Sequence, residues 1–358
     1  MRGFCMLSRR IFLYRLYLVF NIAIIWVLFS LLFLHNIVKV DKELLQSRRL
    51  SFFSLAFAII GFIVVSAEAF YLQNAFRKLP LWLSTILRMM LTFFLFLLVG
   101  IIFLSIYFIF SYHGTFTDFV DIFLENILLT PSFLMFIIDL GVLSFISILI
   151  LEVTDKYGPG GIGNLLRGRY NKPQNENRIF LFLDINDSTT IAERIGHERY
   201  FNLLKDFFAD ITDPILSNSG HIYQYVGDEI SLYWKNTIIN KLRCLAFVRE
   251  ACVAINRRQE YYLKMYDVVP TFKTGIHAGE VTAGYIGIIK KELVFSGDTL
   301  NTTARIRSKC HELNEPFVAS AEFLDGLTKP KGYQINEIGE IELRGRMEKE
   351  KLFSVRFA

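Results

Sequence analysis

Residues 179–189, IFLFLDINDST, decide the fold of the C-terminal half of the chain. Five consecutive aromatic or aliphatic residues predict a buried strand. The apolar run nevertheless reaches a carboxylate at Asp184. An ionised carboxylate beside a dry core is costly unless it is paired or binds a cation. Asp184 therefore requires a partner, and the rest of the chain should supply one.

The chain divides into an apolar part and a part of ordinary composition. Of its 358 residues, 53% are hydrophobic, which is high for a soluble protein. The excess lies in residues 11–151, whereas residues 155–358 are typical of a globular domain of about 200 residues. We expect a membrane domain over 1–152, a segment rich in glycine and polar residues over 153–177, and a soluble domain over 178–358. The segment 153–177 is either a passive linker or a hinge that transmits a signal, and both interpretations stay open.

Four segments are long and apolar enough to cross about 30 Å of hydrocarbon as helices. Because three spans follow it, the first is expected to be a retained helix rather than a signal peptide. The four predicted transmembrane helices lie near 16–38, 50–72, 89–112 and 130–151.

Basic residues predict the orientation of these helices. They precede span one, lie between spans two and three and follow span four, which places both termini in the cytoplasm of a multi-pass inner (plasma) membrane protein. The loop between spans one and two is also basic and opposes this orientation. The supporting residues are Arg2, Arg9, Arg10, Arg77, Lys78, Arg88, Lys156, Arg167 and Arg169.

Glu68 and Asp139 fall inside predicted spans, where ionisable side chains are rare and often functional. Two interpretations stay open for Glu68: a sensor or pairing site, or a side chain that extends to the interface from near a helix end. For Asp139, a functional role and a position facing the other helices are both open.

Cysteines and net charge exclude other classes of site. Four cysteines without CxxC spacing, on the expected cytoplasmic side, predict free thiols rather than disulfides or zinc ligands. The net charge of +5 is largely accounted for by flanks that face anionic lipid, so no nucleic-acid binding is expected.

The order of elements in residues 178–358 predicts an α+β, ferredoxin-like domain with helices on one face of a sheet. A long helix with a capping box from Thr190 to Glu193 should follow the first strand. The remaining predicted elements are a hairpin at Gly227–Asp228, a helix near 237–260, a glycine-rich strand pair within 271–287, and a helix from about Thr299.

Asp184 and Asp228 should face each other, because the end of the first strand lies beside the hairpin tip in this layout. Two such carboxylates repel unless a divalent cation lies between them, and Mg²⁺ suits one or two carboxylates plus substrate phosphates. The alternative is two unrelated surface acids, since aspartate favours turns.

A third segment, SGDTLNTTARIR (296–307), places Asn301 and Arg305 four residues apart. They then share one helix face, where an amide and a guanidinium can hold ribose and phosphate. Such a pair is also common on solvated helix faces. Together with both aspartate segments, it favours a nucleotide site.

These residues resemble the class III nucleotidyl cyclases over about 178–357. FLDINDST, YVGDEI, GIHAGEVTAGYIG and SGDTLNTTARI occur in the family's order. The resemblance implies that Asp184, Asp228 and the carbonyl of Ile185 bind two Mg²⁺ or Mn²⁺ ions. It implies that Asn301 orients the ribose and that Arg305 stabilises charge in the transition state.

The resemblance also implies how substrate and partner are bound. Arg344, in ELRGR, takes the place of a phosphate-binding lysine. Each site forms between two subunits, so a homodimer with two equivalent sites is expected, acting in signal transduction. The residues that contact the base depart from the family, with Gln224 where lysine or glutamate is usual and Val294 where aspartate or threonine is common. ATP is expected as substrate because adenylate cyclases are the common bacterial form, with GTP as the alternative.

Three rival functions remain to be weighed. A diguanylate cyclase lacks the Asn and Arg helix. A catalytically inactive receptor or scaffold would be expected to lose a metal aspartate, and both are present. A channel or transporter with a nucleotide-binding tail should have polar, paired spans, whereas these are mostly Phe, Leu and Ile.

Overall fold

The structure is a computed structural model that describes residues 9–38, 47–72, 75–76, 79–126, 131–157, 163–164, 167–327, 330–342 and 349–357. The chain divides into two compact units, Met1–Tyr157 and Gly158–Ala358. The first unit is helical and the second is a mixed α+β domain, so the predicted fold class is confirmed.

Four helices of the first unit are long and apolar enough to cross a membrane, as predicted. The third of them begins at Leu81, directly after Pro80, rather than near residue 89. Arg88 therefore lies within this helix and not in the loop before it. The helices are α1 (Arg9–Val38), α2 (Ser47–Ala67), which continues as a π-helical turn (Glu68–Leu72), α3 (Leu81–Tyr112), α4 (Phe116–Asn126) and α5 (Pro131–Tyr157).

Three ionisable residues of this unit form an ion triad, of which Arg88 and Glu68 are buried and Glu152 is partly exposed. Arg88 of α3 pairs with Glu68 in the π-helical turn and with Glu152 of α5. Thr92 donates a further hydrogen bond to Glu68, over 3.3 Å. Arg88 and Glu68 are each only 1% exposed. Of the two interpretations of Glu68, the structure therefore favours a pairing site, since a buried carboxylate requires a cation.

Replacing Arg88 with alanine should destabilise the membrane unit by about 3 kcal/mol, because Glu68 would stay buried without its cation. The expected result is a lower midpoint of thermal unfolding for the full chain in detergent. The variant Arg88→Ala with Glu68→Gln should recover much of the loss, since no charge is then left unpaired at that position. A single variant as stable as the wild type would contradict this account of the triad.

The second unit is built on one sheet with the strand order β2-β3-β1-β4-β6-β8-β7, and β5 pairs with β4. Its strands are β1 (Gln174–Ile185), β2 (His221–Val226), β3 (Glu229–Lys235), β4 (Phe272–Ile286), β5 (Glu292–Ser296), β6 (Phe317–Ser320), β7 (Tyr333–Ile341) and β8 (Glu350–Phe357). Its helices are α6 (Ser188–Ile195), α7 (His197–Ser217), α8 (Ile238–Arg257), α9 (Gln259–Tyr266), α10 (Asp298–Leu313) and α11 (Ala321–Leu324).

The two faces of the sheet carry different helices. Alternate residues of β1, such as Ile179 and Leu181, pack on the core that includes α6 to α9, and we call this side the first face. Phe180 and Phe182 point to the second face, as the two-residue period of a strand requires. Helix α10 packs on the second face, through Leu300 among others. The predicted arrangement with helices on one face therefore holds for α6 to α9 but not for α10.

Two predicted elements differ in their bounds. The long helix after β1 is two helices, α6 and α7, separated at Gly196, whose φ of +83° favours glycine. Because α6 begins at Ser188, the predicted capping box is absent. The glycine-rich strand pair is the single strand β4 of 15 residues, which pairs with β1 back to Gln174.

Gly275 of β4 allows α10 to lie close to the sheet. A Cβ at this position would lie 2.3 Å from the backbone nitrogen of Arg307 and 2.7 Å from the carbonyl oxygen of Thr303. Neither backbone group can yield without moving the helix. The absence of a side chain at Gly275 therefore allows α10 to pack directly against the sheet.

Replacing Gly275 with alanine should lower the free energy of unfolding of the second unit by about 2 kcal/mol, because α10 must move away from the sheet. Gly284→Ala on the same strand is the matched control, since its Cβ would make only an ordinary contact of 3.5 Å with Pro173. Thermal unfolding of both variants measures the difference. Equal midpoints would contradict the close approach of α10.

Candidate active site

The strand register places three charged side chains in one row. Asp184 of β1 is paired in register with Glu229 of β3 on one side and with Lys273 of β4 on the other. All three residues share the parity of the second face, so their side chains lie side by side there. The row crosses the neighbouring strands β3, β1 and β4 at the end of β1.

Asp184 has two cationic partners within its own chain. Its Oδ2 atom lies 3.1 Å from Nζ of Lys273 and 2.9 Å from Nη1 of Arg307 in α10. Nη2 of Arg307 also lies 2.6 Å from Oε2 of Glu229. These contacts explain how a carboxylate that is 7% exposed is tolerated at the end of an apolar strand.

Asp228 completes the acidic group from the turn between β2 and β3. Gly227 makes this turn with a φ of +63°. The Ser188 hydroxyl and the Asp184 carboxyl both lie near the Asp228 carboxyl and act on its pKa, which the hydroxyl lowers. Burial raises the pKa of Asp228, and the neighbouring Asp184 raises it further. The structure thus brings the two predicted aspartates together.

This donor set fits a divalent cation. Two neighbouring carboxyls, Asp184 and Asp228, form a site where added positive charge relieves repulsion. Carboxylate and carbonyl oxygens are the ligands that Mg²⁺ and Mn²⁺ prefer. Ile185, the last residue of β1, is buried through its side chain, so its carbonyl is the polar group it offers.

Asn301 and Arg305 lie on α10, which begins at Asp298. Asn301 is exposed and Arg305 is half-buried. Within the described part of the chain, neither forms a hydrogen bond or ion pair with Asp184 or Asp228, and Nη1 of Arg305 is buried without a hydrogen-bond partner. This guanidinium therefore retains a donor for an anionic group.

Of the remaining predicted residues, the structure describes Gln224 and Val294. Gln224 is exposed on β2 opposite Ser231. Val294 is half-buried on β5 opposite Gly284. Arg344 lies outside the described residues, so the structure gives no position for it.

Sequence reasoning missed Lys273, Glu229 and Arg307. Lys273 lies 89 residues after Asp184 in the sequence, and only the register of β1 with β4 brings them together. Glu229 follows the predicted Asp228 directly. Arg307 belongs to the segment 296–307, which also contains Asn301 and Arg305. Its position two residues after Arg305 is the sequence signal for it.

A separate group of possible ligands consists of His277, Glu322 and Glu350, whose donor atoms lie within 4.8 Å of one another. Nδ1 of His277 shares a hydrogen bond of 2.7 Å with the Ser320 hydroxyl. That hydroxyl also accepts from the backbone of Phe323 and caps α11. The His277 contact therefore helps to join β4 to β6 and α11.

Comparison with known sequences shows that the second unit is similar to a described protein family and to curated proteins. The family described as "Adenylate and Guanylate cyclase catalytic domain" matches residues 170–356. Adenylate cyclase 2 of Rhizobium meliloti (strain 1021) is 35% identical over 209 residues, which are 58% of this chain and 58% of that protein. Adenylate cyclase 1 of the same organism is 28% identical over 150 residues, 39% of this chain and 22% of that protein. The chain thus spans only part of the length of these curated relatives.

A solved structure gives the same result for the fold. The structure of a bacterial light-regulated adenylyl cyclase superposes with a TM-score of 0.51 at 17% sequence identity. The match covers 60% of this chain and 64% of the other. At this identity the likeness shows the fold alone.

Proposed function

The chain belongs to the adenylate and guanylate cyclase catalytic-domain family, and from that premise we propose that it is an adenylate cyclase that converts ATP to 3′,5′-cyclic AMP and pyrophosphate. The proximity of Asp184 and Asp228 at adjoining strand ends carries this proposal, because the two carboxyls form an acidic pair suited to a metal nucleotide. The 35% identity to a protein named as an adenylate cyclase supports the choice of reaction.

In this reaction the ribose 3′-hydroxyl attacks the α-phosphorus. A new P–O bond forms there, the bond to the β-phosphate oxygen breaks, pyrophosphate leaves, and the hydroxyl proton passes to solvent. Two Mg²⁺ or Mn²⁺ ions would lower the pKa of the hydroxyl and neutralise charge on the phosphates. Asp184, Asp228 and the carbonyl of Ile185 would hold these ions.

The rest of the machinery would come from a second copy of the chain. Asn301 orients the ribose, Arg305 stabilises charge on the α-phosphate, and Arg344 binds the phosphates. Nη1 of Arg305 is buried and has no hydrogen-bond partner among the described residues, which supports this role, because such a donor is costly unless an acceptor reaches it. Within the described residues, Arg305 forms no hydrogen bond or ion pair with Asp184 or Asp228 of its own chain, which supports a homodimer with two composite sites.

The helical unit would anchor the enzyme in the plasma membrane, with the cyclase unit in the cytoplasm and a role in signal transduction. Support comes from the four helices that are long and apolar enough to span a bilayer and from the distribution of basic residues. In this proposal residues 1–152 form the membrane domain, 153–177 the linker and 178–358 the catalytic domain.

The proposal includes a preference for adenine over guanine as the base of the substrate. Gln224 can both donate and accept a hydrogen bond, whereas Val294 offers an apolar surface. The test assays the full chain in detergent with Mn²⁺ and either ATP or GTP, and identifies products by mass spectrometry. Cyclic AMP as the main product is expected. Cyclic GMP as the main product would overturn the substrate, and no cyclic product from a folded dimer would overturn the activity.

A further inference from the structure

Arg307 lies among the acidic groups where the proposed function places the metal ions. It contacts Asp184 through Nη1 and Glu229 through Nη2, at 2.9 and 2.6 Å. Asp228 lies close to Asp184, so three carboxyls, those of Asp184, Asp228 and Glu229, lie near two cations, Arg307 and Lys273. Arg307 bridges two of the carboxylates, whereas Lys273 contacts Asp184 alone among the three.

The position of Arg307 on α10 separates it from Arg305. Two residues differ by about 200° around a helix, so the two guanidinium groups point to opposite sides. In the part of the chain that the structure describes, Arg305 keeps a buried donor without a partner, while Arg307 reaches the second face of its own sheet. The close approach of α10 at Gly275 brings Arg307 within reach of Asp184.

We infer that Arg307 is a positioning residue that serves as an internal cation for Asp184 and Glu229 and yields Asp184 to the incoming divalent ion. The inference rests on the proposed function, since it takes Asp184 as a metal ligand. A guanidinium paired with a carboxylate orients it and also competes with a cation for it. Arg307 therefore keeps the ligand in place and weakens metal binding.

Both effects predict a signature that a merely structural residue would not give. A neutral side chain at position 307 removes the competing charge, so Mn²⁺ should bind more tightly. Asp184 then loses the group that orients it, so turnover should fall. A structural defect in the site would instead weaken metal binding and turnover together.

The test measures Mn²⁺ binding to the full chain in detergent, without nucleotide, from the loss of the electron paramagnetic resonance signal of free Mn²⁺. Arg307→Gln is expected to lower the Kd about tenfold, because it removes the positive charge that competes with the ion for Asp184. Arg307→Lys, which keeps the charge, should stay closer to the wild type. Lys309→Ala on the same helix is the control, since Lys309 pairs only with Glu312 among the described carboxylates.

The outcomes separate this inference from the proposed function. Wild-type binding that Asp228→Asn removes, with a lower Kd for Arg307→Gln, supports the inference. The same wild-type binding with an equal or higher Kd for Arg307→Gln overturns the inference and leaves the metal site standing. Absence of a site that depends on Asp228 in both the wild type and Arg307→Gln overturns the metal site and the inference with it.

Discussion

Replacing Asp228 with asparagine should lower the rate of cyclic AMP formation by about 10³-fold while the chain stays folded. The amide keeps the shape of the side chain but loses the charge that would hold a divalent ion. Because burial and Asp184 already raise the pKa of Asp228, removing its charge should not destabilise the turn. Initial rates with Mn²⁺ and the midpoint of thermal unfolding measure the two effects separately.

Asp267→Asn is the matched control for this variant. Asp267 caps the C-terminus of α9 with a φ of +56° that asparagine tolerates, and its exposed carboxylate pairs with Arg199. Its activity should stay near that of the wild type. An Asp228→Asn enzyme within tenfold of the wild-type rate would contradict the role of Asp228.

Co-expression of two inactive variants should restore activity if each site is shared by two chains. Asp228→Asn damages the acidic half of a site, and Arg305→Ala damages the helix half. In a mixed dimer, one site combines the intact acids of one chain with the intact Arg305 of the other. Random pairing makes half of the dimers mixed, each with one of two sites intact, so about a quarter of the wild-type rate is expected.

A second pair of variants controls for assembly. Asp184→Ala co-expressed with Asp228→Asn damages the acidic half in every chain, so no dimer of these variants contains an intact site. This mixture should stay inactive. Activity that stays at the level of the separate variants in the first mixture, with mixed dimers verified by two affinity tags, would contradict the composite site.

The sequence was sufficient to bring Asp184 and Asp228 together. An apolar strand that ends in a carboxylate and a Gly-Asp turn are local signals, and the order of elements makes them neighbours. The shared face of Asn301 and Arg305 could also be predicted from the sequence, because residues four apart on a helix lie on the same side. Local pattern and element order therefore located the acids and the helix residues.

The ion-pair partners that the sequence did not predict depend on contacts between distant segments. The pairing of Asp184 with Lys273 follows from strand register, and its pairing with Arg307 follows from the packing of α10 on the second face. In the helical unit, the sequence predicts Arg88 to lie outside the spans, among the basic residues that flank them. Its burial against Glu68 arises only when α2 and α3 pack. Periodicity cannot reveal such partners.

The most direct test of the central claim follows ATP through the reaction of the wild-type chain in water enriched in ¹⁸O. Attack by the ribose hydroxyl predicts cyclic AMP and pyrophosphate in equal amounts, with no ¹⁸O in the cyclic nucleotide. AMP that carries ¹⁸O as the main nucleotide product would show attack by water instead. That result would contradict the assignment of this chain as an adenylate cyclase.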